Sequence, residues 1–375
     1  MSGSPASTVP RRADCPRILM FSCEPGGAEV LVPVIQQLKK SDRFEVVVAA
    51  YGFATDRFAK NNIQFENVSP IGENDDLAIE RHSPGLVITS ATSLPERDMS
   101  EKHIWAIARK LGIPSFAFVD SWQNYSQRFS GPIASQRMQF LPDRIFCIDE
   151  FCKGEMIRCG FPPDILFPLG HPSLSRLVSE TKPDLQPVRD LTNPTRCSET
   201  WVFASEPIRE HFGSTRGYDQ YDAARVFLEI VSKADAAVKA ILKLHPKDNI
   251  HGFEELLREF AAVPVEIISN QASSLEVISI ADKVFGMTSI MLVEASLMGK
   301  PTISIQPHLK GEDLLVLSRR GLTPLIASAD QYDENLFRAN STPMSSSFLE
   351  GIRFKGEAFL SMVEKTLLGE TNSCE

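Results

Sequence analysis

The chain has 375 residues, of which 43% are hydrophobic and 23% are charged, and its net charge at pH 7 is −9. This length exceeds what one hydrophobic core usually serves, so we expect two domains of roughly 100–200 residues each. The composition excludes a fibrous or a disordered class. The acidic balance, without a basic stripe, argues against nucleic acid as a partner.

The apolar runs and the cysteines indicate the compartment. No run approaches the roughly 20 apolar residues of a membrane span, and no amphipathic helix carries a dense basic face. The seven cysteines are irregularly spaced and include no Cys-x-x-Cys pair, which is typical of a reducing compartment and gives no zinc signature. We predict a cytoplasmic protein without a membrane span, and peripheral contact with a membrane stays compatible with the sequence.

Short apolar and β-branched runs alternate with helical patterns through the first half of the chain. Strands are predicted at residues 17–21, 44–50, 63–68, 86–89, 115–119 and 144–148, and helices at 28–40 and 99–111. The first helical pattern places Val30, Val34 and Leu38 on one face. Strands that alternate with helices predict a parallel sheet covered on both faces.

The alternation lapses in a proline-rich stretch at residues 181–200, a predicted linker, and then restarts. Strands are predicted at residues 201–204, 238–244, 265–268, 283–285 and 301–305, and helices at 221–231, 252–260, 290–298 and 348–368. Both halves therefore predict Rossmann-like sheets.

The turn Gly286-Met-Thr-Ser289 lies between a predicted strand and a helix that begins at Ile290 without an evident cap. A phosphate at this turn would meet free backbone N–H groups, the Thr288 and Ser289 hydroxyls and the positive end of the helix dipole. The alternative is that Thr288 and Ser289 form an N-cap pair, and the two interpretations are compatible.

Ligands of open parallel sheets bind beyond the carboxyl ends of the strands, where this chain places Ser205, Glu206, His245 and Lys247. Because Pro246 restricts His245 to extended geometry, the histidine has a fixed direction. Together with Lys247 it could neutralise a diphosphate or assist its departure. The alternative is a histidine that caps the sheet by a hydrogen bond to a loop carbonyl.

Glu294 lies on the otherwise apolar helix that follows the Thr288 turn. A carboxylate in such a helix requires a partner. Ribose hydroxyls would provide one, and a salt bridge to an arginine or lysine is the alternative.

These motifs carry a family resemblance. Lys243-Leu-His-Pro246, Gly286-x-Thr-Ser-x-x-x-x-Glu294-Ala and Gly299-Lys-Pro resemble the donor-binding domain of GT-B-fold glycosyltransferases. They are similar to CDP-glycerol glycerophosphotransferases, His-Pro-motif bacterial sialyltransferases and UDP-N-acetylglucosamine 2-epimerases. The resemblance implies that His245, Thr288 and Ser289 contact the phosphates of a UDP- or CMP/CDP-linked donor and that Glu294 contacts its ribose. It implies no tightly bound cofactor and no metal.

In the first half, Ser22-Cys-Glu-Pro-Gly-Gly27 resembles the glycine loop that opens the acceptor domain of lipid A disaccharide synthases. The resemblance implies that Gly26 and Gly27 contact the acceptor and that Glu24 is a candidate base. The alternative is a tight turn whose glycines let the helix meet the strand. The loop matches neither a GxGxxG fingerprint nor a P-loop, so neither a nicotinamide cofactor nor ATP hydrolysis is supported.

Asp120-Ser-Trp-Gln-Asn-Tyr125 follows another predicted strand. Asp120 could deprotonate an acceptor hydroxyl, while Trp122 or Tyr125 could stack on a sugar ring. The alternative is that Asp120 caps the next segment and the aromatic side chains pack inside the protein. Gly170-His171-Pro172 resembles a turn of lipid A disaccharide synthases, and we interpret it as structural.

The sequence departs from each specific family in its acidic residues. The sialyltransferases carry an acidic pair followed by glycine, whereas Gly311-Glu312-Asp313 has the reverse order and lies in the other half. The 2-epimerases carry paired glutamates, whereas this chain has only Glu294 at that place. We therefore assign the chain to neither family.

Together the patterns predict an α/β protein of GT-B type, with two Rossmann-like domains that face each other across a cleft. The predicted parts are a disordered tail (1–15), an acceptor domain (16–180), a linker (181–200), a donor domain (201–345) and a C-terminal helix (346–375) that can pack back on the N-terminal domain.

The predicted activity is the transfer of a sugar or polyol phosphate from a nucleotide-activated donor to a hydroxyl of a small-molecule or glycan acceptor. It would proceed by metal-independent, inverting chemistry in cell-surface polysaccharide or glycoconjugate biosynthesis, with Asp120, Glu24 and His245 as catalytic residues. A nucleotide-sugar 2-epimerase or hydrolase, and a non-catalytic nucleotide-sugar-binding protein, stay open as alternatives.

Overall fold

The computed structural model of the protein describes residues 15–178, 197–234, 236–336 and 346–369. The predicted tail, apart from residue 15, and residues 181–196 of the predicted linker lie outside the described residues. The chain divides into two compact units. The first comprises the described parts of 1–120, 124–173 and 351–375, and the second those of 121–123 and 174–350.

The first unit is built on a parallel sheet. Its strands are β1 (Arg17–Ser22), β2 (Glu45–Ala50), β3 (Glu66–Asn67), β4 (Leu86–Thr89), β5 (Ser115–Phe118), β6 (Arg144–Cys147) and β7 (Leu166–Pro168). Their order in the sheet is β3-β2-β1-β4-β5-β6-β7. The helices up to residue 158 are α1 (Pro25–Lys40), α2 (Phe53–Lys60), α3 (Leu77–Glu80), α4 (Ser100–Lys110), α5 (Tyr125–Arg128) and α6 (Glu150–Arg158).

The second unit repeats this plan. Its strands are β8 (Glu199–Ala204), β9 (Val238–Lys243), β10 (Val265–Ile268), β11 (Lys283–Gly286), β12 (Thr302–Ile305) and β13 (Leu325–Ile326). They are all parallel, in the order β10-β9-β8-β11-β12-β13. The helices are α7 (Ile208–Phe212), α8 (Gln220–Ser232), α9 (Ile250–Leu257), α10 (Ser274–Ile280), α11 (Ile290–Leu297) and α12 (Val316–Arg319).

Both sheets have the strand order of the doubly wound Rossmann fold, which confirms the predicted fold class. Each sheet has its own hydrophobic core, and central strands such as β4 are buried along their whole length. Such strands consist of continuous apolar residues because helices cover both faces of a parallel sheet. The strand order reverses direction at β1–β4 and at β8–β11, so the carboxyl ends of these pairs are the expected ligand positions.

The predicted helix at 348–368 is two helices in the structure, α13 (Ser346–Ile352) and α14 (Gly356–Leu368). The helical hydrogen bonds are interrupted because the Lys355 N–H donates to the Leu169 carbonyl at 2.7 Å. Helix α14 buries Phe359 and Val363 in the core of the first unit. The strand predicted at 63–68 is reduced to the two residues of β3. No helix among the described residues is long and apolar enough to cross a membrane.

Candidate functional site

The switch point of the second sheet brings the predicted residues Glu206 and Thr288 together. Strands β8 and β11 are neighbours, and their register pairs Ala204 with Gly286. Residues two positions further along each strand, Glu206 and Thr288, therefore leave the sheet side by side. Gly286 permits this close pairing, because a Cβ atom there would lie 3.0 Å from the Ala204 carbonyl oxygen.

The Glu206 carboxylate accepts two kinds of hydrogen bond from Thr288. The backbone N–H donates to Oε2 at 2.6 Å, and the hydroxyl donates to Oε1 at 3.0 Å. Burial raises the pKa of Glu206 to about 7, against the opposing effect of the bonds from Thr288. Of the backbone N–H groups expected to be free for a phosphate at this turn, that of Thr288 already binds an anionic side chain.

Helix α11 begins with the Ser289 cap that the sequence offered as the alternative interpretation. The Ser289 hydroxyl accepts a hydrogen bond from the Met291 N–H at 3.2 Å, so the helix that looked uncapped in sequence has an N-cap, and of the proposed cap pair Ser289 is the capping residue. Among the described residues, the N–H groups of Ser289 and Ile290 make no hydrogen bond. Ser289 is partly exposed and Ile290 is exposed. The positive end of this eight-residue helix thus keeps donors for an anion beside Glu206.

His245 follows β9 and is held in one neutral tautomer. Its Nδ1 atom accepts the Lys247 N–H at 3.1 Å, so the neutral ring carries its proton on Nε2. Burial, followed by the charges of Lys247, His211 and Lys243, lowers the pKa of His245 to about 4. A ring that is neutral at pH 7 can donate a hydrogen bond from Nε2, and its part, with Lys247, in neutralising a diphosphate or assisting its departure stays a prediction.

Asp248 connects this histidine to Glu206. Its carboxylate accepts the His245 N–H at 2.7 Å. Burial raises the pKa of Asp248 to about 6, while the bond from the His245 N–H lowers it. Asp248 also raises the pKa of Glu206 through charge repulsion. The structure therefore brings together four predicted residues that follow three different strands: Ser205, Glu206, His245 and Thr288.

The remaining predicted donor residues lie on the same elements. Glu294 is partly buried on α11, one turn beyond Ser289. Lys247 is partly exposed and lies beside His245, where its charge contributes to the low pKa of the histidine. Contact of either side chain with a ribose or a phosphate stays a prediction.

A buried polar network lies at this edge, and of its members the sequence interpretation missed Arg216 and Tyr218. The Tyr218 hydroxyl donates to Gln306 Oε1 at 3.1 Å, and Gln306 Nε2 donates to Asp313 at 2.7 Å and to Ser304 at 2.9 Å. Arg216 lies in the same region with only 8% of its surface exposed. Gln306 follows β12 and was among the strand-end residues that the sequence selected, whereas no periodic pattern marks Arg216 or Tyr218.

In the first unit, Asp120 follows β5 and forms an ion pair. Its Oδ1 atom lies 2.6 Å from Nη1 of Arg128, a guanidinium that is almost fully buried. Its Oδ2 atom lies so close to Gly26 that a Cβ atom there would approach it to 2.5 Å. The pairing gives Asp120 a structural partner, and its action as a base stays a prediction.

Gly26 and Gly27 open helix α1 against this edge. A Cβ atom at Gly27 would collide with the Ser90 side chain, and Ser90 is bonded to Ser22 at 2.8 Å between the two hydroxyl oxygens. Close packing therefore explains why both positions are glycine, in agreement with the alternative interpretation of a tight turn between strand and helix. Glu24 is the N-cap residue of α1 and is partly buried. Acceptor contact by this loop stays a prediction.

The structure does not support sugar stacking on Trp122 or Tyr125. Trp122 is 2% exposed and packs on Phe348 with ring centroids 6.1 Å apart. Tyr125 is 6% exposed, and its hydroxyl donates to Glu155 at 2.7 Å. Both aromatic side chains are therefore packing groups, as the alternative interpretation had it. His171 is buried and donates from Nε2 to the Asp120 carbonyl at 3.0 Å, a structural contact.

The chain is similar in fold to several solved structures, and the similarity covers nearly its whole length. UDP-GlcNAc 2-epimerase from Neisseria meningitidis bound to UDP-GlcNAc is 15% identical, covers 94% of this chain and 99% of its own, and has a TM-score of 0.62. The S. aureus MnaA–UDP complex is 12% identical, with coverage of 95% and 98% and a TM-score of 0.67. Glycosyltransferases are among the other matching structures.

The chain has the GT-B fold. Anabaena HepE in complex with UDP and glucose adds a third match, with 16% identity, coverage of 94% and 99% and a TM-score of 0.60. Identities of 12–16% show a shared fold, and they confirm at that level the resemblance that the motifs indicated. No protein-family model and no curated protein matches the sequence.

Proposed function

We propose that this GT-B protein is an enzyme that binds a nucleotide-activated sugar and transfers the sugar, or a polyol phosphate, to a hydroxyl acceptor. The observation that carries the proposal is the start of α11, where Ser289 and Ile290 offer N–H donors beside Thr288. A diphosphate there would gain charge-assisted hydrogen bonds and the favourable end of the helix dipole. Contact of this diphosphate with Nε2–H of His245 is part of the proposal.

The structural neighbours support the donor class. The Neisseria enzyme was solved with UDP-GlcNAc, and the S. aureus and Anabaena proteins were solved with UDP. We therefore propose a UDP-linked sugar as the first donor to test, with CMP- and CDP-linked donors next. The acceptor hydroxyl would be deprotonated by Glu24 or by Asp120, and Asp120 would first have to leave its ion pair with Arg128.

A second candidate is a nucleotide-sugar 2-epimerase or hydrolase. Several of the matching structures are UDP-GlcNAc 2-epimerases, which favours it. The sequence disfavours it, because the paired glutamates of the 2-epimerases are replaced by Glu294 alone. Such an enzyme would act on the donor without a second substrate, whereas a transferase requires an acceptor. A non-catalytic binding protein would bind the nucleotide and leave the donor intact.

The first test is a thermal-shift screen with UDP, CDP, CMP, GDP and dTDP, with and without magnesium. A ligand that binds only the native state stabilises it by about 2.7 kcal/mol at a hundredfold excess over Kd. We expect one nucleotide to raise the melting temperature. Incubation of the corresponding sugar donor without acceptor then separates the candidates: an epimerase or hydrolase converts it, and a transferase or a binding protein does not.

Site variants test where the nucleotide binds. We expect Ser289→Ala and His245→Ala to weaken nucleotide binding about tenfold each, since each removes a hydrogen-bonding group of a charged ligand. Ser273→Ala and His251→Ala are the matched controls, because Ser273 caps α10 and His251 is exposed on α9. Unchanged affinity in both site variants would contradict the donor-site assignment.

A further inference from the structure

The anion-binding donors at the start of α11 already have an anionic neighbour from the protein. Glu206 accepts from the Thr288 N–H at 2.6 Å and from its hydroxyl at 3.0 Å. The next two N–H groups along the chain, those of Ser289 and Ile290, have no acceptor among the described residues. A phosphate bound to these two groups would therefore lie next to the Glu206 carboxylate, and two like charges in contact repel strongly.

A buried cation near Glu206 lacks part of its hydrogen bonding. Within the described part of the chain, neither Nε nor Nη2 of Arg216 has a hydrogen-bond partner, although only 8% of the residue's surface is exposed. Its charge lowers the pKa of Glu206. Its backbone is fixed, because the Arg216 carbonyl accepts the Lys310 N–H at 2.8 Å. A guanidinium with unused donors is a group that a second anion would satisfy.

Among the described residues, Asp248, Arg216 and Tyr218 are ionisable groups that interact with Glu206. Asp248 repels its negative charge, Arg216 attracts it, and the Tyr218 hydroxyl lies near enough that the carboxylate raises the tyrosine pKa. Burial is the dominant influence and raises the pKa of Glu206 to about 7. The carboxyl group is thus close to the point at which a small change of environment adds a proton.

We propose that Glu206 is an internal anion of the phosphate site, which a bound donor phosphate neutralises and displaces from Thr288 while one proton is taken up from solvent. Arg216 then faces the phosphate in place of the carboxylate. This inference rests on the proposed donor site, and it changes the role predicted for Glu206 from a ligand contact to a competitor of the ligand.

The protonation state of Glu206 sets the direction in which the affinity for a phosphate changes with pH. Below about pH 7 the Glu206 carboxyl is already protonated, and a phosphate binds without proton uptake. Above about pH 7 the carboxylate is charged, so each bound ligand requires a proton and the affinity falls about tenfold per pH unit. Asp248 and His245, with pKa values of about 6 and about 4, keep constant charges in this higher range.

The test is isothermal titration of the full chain with UDP-N-acetylglucosamine between about pH 6 and 8.5 in two buffers of different ionisation enthalpy. This ligand has no terminal phosphate, and so no group that ionises near about pH 6. Any proton uptake measured on binding is therefore uptake by the protein. At the upper end we expect close to one proton taken up per ligand. Glu206→Gln should bind with an affinity independent of pH above about pH 7, without proton uptake, and about tenfold or more tighter than the wild type at pH 8.5.

Glu255→Gln, an exposed carboxylate on α9, is the control and should behave as the wild type. Arg216→Gln should weaken binding at every pH. A flat pH profile of the wild type, or weaker binding by Glu206→Gln, would overturn this inference and leave the donor site standing. Absence of binding by the wild type and by every variant would overturn the UDP-donor proposal itself, and this inference with it.

Discussion

Asp120 illustrates at the scale of one residue how a candidate base can also support the structure. Its carboxylate is paired at 2.6 Å with Arg128, whose side chain is 4% exposed. We expect Asp120→Ala to lower the free energy of unfolding by about 3–5 kcal/mol, because it leaves a buried guanidinium without its counter-charge. Denaturant unfolding measures this change. Asp56→Ala, which removes an exposed carboxylate on α2, is the control and should alter stability little.

The double variant Asp120→Ala/Arg128→Met separates the two contributions. Removal of both charges should recover most of the stability lost in the single variant, because no buried charge then lacks a partner. Asp120→Asn, which keeps the shape of the side chain, tests catalysis. If it abolishes transfer while melting near the wild-type temperature, Asp120 is the base. A single Asp120→Ala variant as stable as the wild type would contradict the structural role.

The sequence identified most residues at the edge of the second sheet but not their contacts. Motif and strand position were enough to select Glu206, His245 and Thr288. The bond between Glu206 and Thr288 depends on β8 lying next to β11 in the register that pairs Ala204 with Gly286. Strand order and register follow from the packing of the whole unit, which a single motif does not contain.

At the scale of elements, the start of α1 depends on a small side chain at Gly27. We expect Gly27→Ala to destabilise the protein by about 1–3 kcal/mol, because its methyl group would collide with Ser90. Thermal or denaturant unfolding gives the value. Ser90→Gly in the same chain removes the colliding atoms and should restore part of the loss, which distinguishes a local clash from a general intolerance of substitutions in this loop.

Gly154, within α6, is the matched control for this substitution. Apart from its chain neighbours and the backbone of its own helix, no heavy atom of the described residues lies within 4 Å of the position that a Cβ would take there. Alanine favours a helix interior over glycine, so Gly154→Ala should leave stability unchanged or raise it by about 0.5–1 kcal/mol. Equal destabilisation by Gly27→Ala and Gly154→Ala would contradict the clash with Ser90.

Elements with a strong apolar period were predictable, and those without one were not. Strands β4 and β10 were predicted with the bounds that the structure has. Helix α6 was missed because it buries only Cys152 and Met156 among polar neighbours. Strand β7 was missed because it is three residues long and ends in a proline. The break between α13 and α14 was missed because Lys355 bonds to a residue far away in the sequence.

At the scale of the whole molecule, the first unit is completed by the end of the chain. Phe359 and Val363 of α14 are fully buried in the same core as Leu31 of α1 and Phe118 of β5. Phe359 also packs on Phe118 and Phe146, with ring centroids 5.5 Å apart in both pairs. The second unit has a separate core, in which Phe253 of α9 is fully buried. Substitution of Phe359 or of Phe253 should therefore destabilise mainly the unit whose core contains that residue.

Phe359→Ala and Phe253→Ala form the matched pair that tests this separation. Each should cost about 3–5 kcal/mol, since each leaves a cavity where an aromatic ring was buried. Hydrogen–deuterium exchange followed by mass spectrometry locates the loss. We expect Phe359→Ala to speed exchange in β5 and β6, although these strands precede residue 359 by more than 200 positions, and Phe253→Ala to speed it in β8 and β9. Leu368→Ala, at a residue that is 52% exposed, should change neither. Exchange that accelerates equally in both sheets in each variant would show that the two cores unfold as one.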